Sequence, residues 1–336
     1  MLQSLKIYNL ILMNMIHVLI SKYELSEYLF SDLEGIDTIF MPVRKHNPFC
    51  HRMIKAFYYK VCSKVYSDYF SKEISKRLKS IPTDDTLIVI GEDTYSYWVL
   101  SHLCKHVKNK VAYFWNPCVS VKNQKICRSL QKSTDRAKSI IEYIRCLGFK
   151  MASFDSSDAE TYNMFYYPQF YRSYPAQDTA ADGYDCDFFF CGRDKGRRSL
   201  IDYFQKRLSK FGKCKFIIIP ENNPDYFTYF DYLDVIKRAK VLCEICQPGQ
   251  SGLTIRALEA VFHNKKLITT NINIKYMDFY NPKNILMLTP ETTDEQIVTF
   301  LNKDYLVLGK DIMQKYEVST MLRTLNKMFG MDNGKY

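Results

Sequence analysis

At 336 residues the chain is too long for one ordinary domain and suits two of roughly 150 residues each. Its 47% hydrophobic content, with 26 Tyr and 22 Phe, supplies two cores and excludes disorder. The net charge of +11 leans toward the first half and would suit nucleic acid, an anionic membrane or an anionic substrate. No nucleic-acid-binding motif accompanies it, so nucleic acid is not expected as a partner. The 11 cysteines are odd in number and scattered, and no cleavable signal peptide precedes them, which points to free thiols in a cytoplasmic protein.

Residues 7–20 are apolar but contain Asn9, Asn14 and His17 and are too short to span a bilayer; they read as a first buried strand, over 5–13, and the start of its helix. A second strand is expected over 36–42. Residues 51–80 read as a long helix carrying Arg52, Lys55, Lys60, Lys64, Lys72, Lys76, Arg77 and Lys79, with aromatics interleaved. Such a helix either packs one face on the core or lies with its basic face on an anionic membrane. The run 86–90 (TLIVI) is a buried strand, followed by Gly91-Glu92-Asp93-Thr94, a helix over 95–106 and a strand over 111–115. Alternating strands and helices imply a parallel sheet, and ligands of such sheets gather beyond the carboxyl ends of the strands. Glu92, Asp93 and Asn116 fall on that edge. Glu92 and Asp93 are candidate general bases, and Asp93 is equally suited to cap the following helix. A helix over 122–147 and a strand over 151–154 follow. Residues 155–177 are rich in Tyr, Phe and Pro with little periodicity, and read as the crossover between domains of 1–175 and 176–336.

The second domain opens with a strand over 187–191. The turn after it, Gly192-Arg193-Asp194-Lys195-Gly196-Arg197-Arg198, is bounded by glycine, carries four cations and is expected to be exposed. It is either a solvated basic turn or half of an anion clamp. A helix over 199–211, a strand over 215–219, a turn at Pro220-Glu221 and a helix over 231–240 lead to the stretch VLCEICQPGQSGLTIRALEAVFHNKKLITTN, residues 241–271. It reads as strand, loop, helix, strand. Pro248, Gly249 and Gly252 end the strand. The loop then presents backbone N–H groups and the positive end of a helix dipole, an arrangement suited to phosphate. Arg256 and Glu259 share a helical face. The arginine can add charge to a phosphate, and the glutamate can accept ribose hydroxyls or simply pair with the arginine. Cys243 and Cys246 lack a second pair at zinc spacing. Asp185-Cys186-Asp187 begins a strand rather than ending one, so no metal site is expected there.

Gln247-Pro248-Gly249-Gln250-Ser251-Gly252-Leu253-Thr254, with Arg256, Leu258 and Glu259, then Lys265 to Asn271, Asp278-Phe279-Tyr280-Asn281 and Asn284-Ile285, resembles the donor-binding half of bacterial surface-polysaccharide glycosyltransferases. Phe154-Asp155, Asp158-Ala159 and the aromatic run Tyr166 to Tyr171 resemble that family's interdomain segment. The resemblance is strongest over 185–285; the first half matches in outline only. It implies the GT-B architecture, an α/β fold of two Rossmann-like domains facing each other across a cleft, with the last helix able to return to the first domain. It also implies that Gly192, Lys195, Arg197, Pro220, Glu221, Gln250, Ser251, Gly252, Leu253, Thr254, Arg256 and Glu259 bind a nucleotide-sugar donor. The first domain would take a glycan or lipid-linked glycan acceptor in the cytoplasm, without metal or other cofactor, and the basic 51–80 helix could hold the protein at the inner face of the cytoplasmic membrane. A non-catalytic nucleotide- or glycan-binding partner with the same fold is the alternative.

Overall fold

The computed structural model describes residues 14–42, 69–118, 130–173, 183–220, 226–247 and 252–330. The expectations for 5–13, 51–68, 122–129, Glu221, Gln250 and Ser251 lie outside these residues. The chain divides into two compact units, one of 1–115, 135–153 and 322–336, the other of 116–134 and 154–321.

The first unit holds strands β1 (Ile16–Lys22), β2 (Ile36–Pro42), β3 (Thr86–Ile90), β4 (Asn109–Phe114) and β5 (Lys150–Ser153), side by side in the order β2-β1-β3-β4-β5 and all parallel. Helices α1 (Glu24–Phe30), α2 (Lys72–Lys79), α3 (Thr94–Leu103) and α4 (Leu130–Cys146) fall between them in sequence. Every residue of β3 is buried, as a strand covered on both faces requires. The first described strand begins at Ile16, in a stretch where the start of a helix was expected. His17, which reads as an interruption of the apolar run, is accommodated inside it. Its imidazole bridges Asp37 at 2.9 Å and Asp85 at 3.0 Å, which satisfies both ring nitrogens at 6% exposure.

The 154–321 part of the second unit begins with α5 (Ser156–Tyr162) and the two-residue β6 (Phe165–Tyr166). Then follow β7 (Cys186–Gly192), α6 (Arg198–Leu208), β8 (Cys214–Ile218), α7 (Tyr229–Lys237), β9 (Ala239–Glu244), α8 (Ile255–Phe262), β10 (Lys266–Thr269), a 3₁₀ turn (Ile272–Tyr276) and β11 (Ile285–Met287). Helices α9 (Asp294–Asn302), α10 (Lys310–Lys315) and α11 (Val318–Gly330) close the described chain. The strands lie in the order β11-β10-β9-β7-β8, again all parallel. Phe188, Phe190, Val241, Cys243 and Ile268 on one face pack with Ile201, Phe204 and Leu208 of α6 and with Ile297 and Phe300 of α9. Each such side chain contributes about 1.5–3 kcal/mol on burial. Phe189, pointing the other way, meets Tyr232 of α7 with ring centroids 5.4 Å apart. The helix α5 replaces part of the irregular crossover expected over 155–177. Asp155 caps it through bonds from the Ser157 and Asp158 amides, and seven residues are too few to show a period.

Both sheets are therefore doubly wound with the same order: the second strand lies outside the first, and the third returns to the first strand's other side. The chain reverses between β1 and β3 in one unit and between β7 and β9 in the other. The crevice at the carboxyl ends of such a strand pair is where open α/β sheets bind ligands.

Candidate functional site

In the second unit the reversal point is crossed by two arginines. Arg197, the residue before α6, reaches over from the β7 side and donates through Nη1 to the carbonyl of Ile245, just past β9. Its Nη2 donates to Arg193 O at 3.1 Å, and the guanidinium lies over the Phe190 ring at 5.5 Å. Arg256, on α8, reaches the opposite way and donates through Nη2 to Cys191 O, near the end of β7, at 2.7 Å. Each guanidinium keeps a buried nitrogen with no hydrogen-bond partner: Nε of Arg197 and Nη1 of Arg256. Asn271 Nδ2, two residues past the end of β10, is a third such donor. Buried donors without acceptors are costly, and although Arg207 Nε near the end of α6 is another, the two arginine nitrogens at the β7–β9 reversal favour an anion or a polar ligand there.

The local electrostatics agree. Burial, and then the charge of Arg256, holds Arg197 below its ordinary pKa. Lys195 is likewise lowered, first by desolvation and then by Arg197 and Arg193. Lys195 has φ of 49° and Gly196 of 79°, so the turn is a tight left-handed one that brings like charges together. An oxyanion would relieve that repulsion. A Cβ at Gly192 would stand 3.1 Å from Arg197 Nη2, so a larger residue there would press on the end of that side chain. Arg197 was expected in an exposed turn. It is half-buried instead, because its side chain folds back to brace β9.

The loop before α8 is occupied differently from the expectation. Gly252 N–H, one of the amides expected to face phosphate, donates to Asp155 Oδ2 at 2.8 Å. A Cβ at Gly252 would meet the Phe154 ring at 3.0 Å and Asp155 Cα at 3.2 Å. Leu253 is buried in the interior. Thr254 caps α8, its hydroxyl accepting from the Arg256 amide at 3.1 Å and donating to Glu244 Oε1 at 2.6 Å. Glu244 also takes the Thr254 amide at 3.3 Å and the Thr269 hydroxyl. It is 1% exposed, and burial raises its pKa. Sequence reading passed over Glu244, although a lone acid in the apolar run VLCEIC is itself a signal of a buried, bonded carboxylate.

Glu259, expected to accept ribose hydroxyls, faces the interior at 1% exposure. Tyr229 donates to its Oε1 at 3.0 Å, Tyr232 donates to its Oε2, and Arg256 Nε stands 3.5 Å from Oε2. Burial raises its pKa against the opposing pull of Arg256. Pro220 is exposed beyond the end of β8. Gly192, Lys195, Arg197, Thr254 and Arg256 are thus gathered at the β7–β9 reversal, while Leu253 and Glu259 point into the protein.

Glu92 and Asp93 belong to the first unit, past the end of β3. Asp93 caps α3, accepting from the Ser96 amide at 2.9 Å. Glu92 is half-buried and accepts from Ser21 at 2.9 Å and Ser96 at 3.1 Å, which joins the ends of β1 and β3. Asp185 and Asp187 sit at the start of β7, paired with Arg238 at 2.9 Å and Lys240 at 2.7 Å. Cys243 lies in the apolar core and Cys246 beyond the strand end. Among the described residues no cluster of His, Cys, Asp and Glu has the composition of a metal site, and no helix is long and apolar enough to cross a membrane.

No protein-family model matches the sequence, and no curated protein matches it. Among solved structures, UDP-GlcNAc 2-epimerase from Methanocaldococcus jannaschii is similar at a TM-score of 0.43 and 10% identity, over 94% of this chain and 100% of that one. The same enzyme in complex with UDP-GlcNAc and UDP gives 0.36 and 13%, over 93% and 100%. The glycotransferase of kitacinnamycin gives 0.35 and 8%, over 95% and 96%. Likenesses of this size assign no function, which is read below from the chain's own residues.

Proposed function

We propose that the protein is a glycosyltransferase that moves a sugar from a nucleotide-sugar donor to a cell-surface glycan or its lipid-linked precursor. The observation that carries this reading is the arginine pair at the β7–β9 reversal, each with a buried nitrogen left unbonded. Two guanidiniums at one reversal, near enough for the charge of Arg256 to lower the pKa of Arg197, suit a diphosphate, and the sequence resemblance over 185–285 supplies the class of donor.

In the transfer, the bond between the sugar's anomeric carbon and the diphosphate oxygen breaks, and its electron pair leaves with the phosphate. An acceptor hydroxyl oxygen bonds to the anomeric carbon and gives up its proton. Arg197, Arg256 and Lys195 stabilise the negative charge that grows on the departing diphosphate, which makes a metal ion unnecessary by this reading. An inverting transfer also needs a base. Both sequence candidates lie in the first unit, where Asp93 caps α3 and Glu92 accepts from Ser21 and Ser96.

Thermal-shift measurements with UDP-, GDP-, dTDP- and CMP-sugars test the proposal. Selective stabilisation by one nucleotide, with slow hydrolysis of that donor, is the expected result. Selective stabilisation without any turnover would favour a non-catalytic nucleotide-binding partner, and no stabilisation by any of the four would overturn both.

A further inference from the structure

Glu259, Tyr229 and Tyr232 form a buried apparatus around Arg256. Tyr232 lies under the guanidinium, its ring centroid 4.6 Å from Cζ, and its hydroxyl donates to the same glutamate oxygen that faces Arg256 Nε. Tyr229, stacked on Tyr232 with centroids 5.6 Å apart, holds the other oxygen. Behind it the chain of bonds continues through Tyr171, whose hydroxyl is 2.8 Å from that of Tyr229, to His263 Nε2 at 3.3 Å. Ahead of it, Arg256 Nη2 is fixed on Cys191 O. The guanidinium is thus gripped on its face, at Nε and at Nη2, and Nη1 alone is left without a bond.

A ribose-binding carboxylate must turn free lone pairs toward the ligand. Glu259 turns both oxygens inward and is sealed from solvent. A carboxylate buried beside an arginine has a different use: it fixes the plane of the guanidinium and keeps it from collapsing onto other acceptors. We infer that Glu259, with Tyr232 and Tyr229, is the positioning group for Arg256, orienting its Nη1 toward a phosphate oxygen, and takes no part in binding ribose. The inference rests on the phosphate reading of the β7–β9 reversal.

The test is calorimetric titration of wild type, Glu259→Gln, Tyr232→Phe and Arg256→Ala with nucleoside diphosphate, inorganic pyrophosphate and the free nucleoside. Glu259→Gln is expected to weaken nucleoside diphosphate and pyrophosphate by the same factor, about tenfold, the scale of one lost charge-assisted contact. Nucleoside affinity should not change. In the Arg256→Ala background the Glu259 substitution should have no further effect on pyrophosphate, since nothing remains to be positioned. Tyr232→Phe keeps the ring under the guanidinium and removes one bond to the glutamate, so it should show a smaller loss of the same pattern and serves if Glu259→Gln fails to fold. Loss of nucleoside affinity with pyrophosphate unaffected would make Glu259 a ribose ligand and overturn the inference. So would a lower melting temperature with all affinities per folded molecule unchanged. If wild type binds neither pyrophosphate nor nucleoside diphosphate, the phosphate reading itself falls, and this role with it.

Discussion

Lowering the pH from 7.5 to 5 is expected to cost the protein about 2 kcal/mol through His263 alone. Burial, and then the nearby charges of Lys265 and Lys237, pull its pKa from 6.5 to about 4. The folded protein therefore holds a neutral imidazole, bonded to the Tyr171 hydroxyl at 3.3 Å, under conditions where the unfolded chain takes up a proton. The contribution is fully present above pH 6.5 and is lost as the pH falls toward 4. A displacement of that size corresponds to roughly 3 kcal/mol in all, of which about 2 kcal/mol has gone by pH 5. Urea denaturation of wild type and His263→Phe at the two pH values isolates it. The variant forfeits the bond to Tyr171 and starts less stable at pH 7.5. It should nevertheless lose about 2 kcal/mol less than wild type on acidification, because the other titrating groups are common to both. Identical pH dependence in the two proteins would show that His263 is not held neutral, and would refute the buried chain from His263 to Arg256 as described.

Gly252→Ala should lower stability by about 1–3 kcal/mol in the same denaturation assay, because its Cβ would press on the Phe154 ring and on the Asp155 backbone, neither of which can yield cheaply. Asp187→Asn should destabilise modestly above pH 4. Lys240 is the main cause of its lowered pKa, with the Lys213 amide also contributing, and the difference from wild type should fade as the pH falls through the carboxyl's folded-state pKa, below 3.8. Donor turnover should survive both that substitution and EDTA; loss of turnover restored by Mn²⁺ or Mg²⁺ would make Asp185 and Asp187 metal ligands after all.

The strands over 36–42 and 86–90 were legible from the sequence and coincide with β2 and β3. Every residue of β3 is buried, so its unbroken apolar run reads as a strand without knowledge of what packs on it. A strand over 16–22, where the start of a helix was expected, was not legible because His17 breaks the apolar run, and nothing local announces that Asp37 and Asp85 arrive from elsewhere to bond it. The site divides the same way. A glycine-bounded cationic turn and a Gly-rich loop before a helix can be read locally, as can Arg256 and Glu259 on one helical face. Which way each side chain turns is decided by partners far off in sequence. Gly252 N–H meets Asp155, Arg197 meets Ile245 O, and Glu259 meets Tyr229 and Tyr232. For that reason Glu259, readable from the sequence as a ribose acceptor or as a partner of Arg256, faces the interior, and Arg197, expected exposed, is a half-buried brace.

The central claim is that Arg197 and Arg256 together receive a diphosphate. A double-substitution cycle measures it directly: affinities of wild type, Arg197→Ala, Arg256→Ala and the double variant for nucleoside diphosphate and nucleoside monophosphate, per folded molecule. Each single substitution should weaken the diphosphate by one to two decades, about 1.5–3 kcal/mol for a charge-assisted contact. The double variant should lose less than the sum, since both contacts serve one ligand, and the preference for diphosphate over monophosphate should shrink with each step. Unchanged diphosphate affinity in both single variants, with folding intact, would place the donor elsewhere and contradict the account.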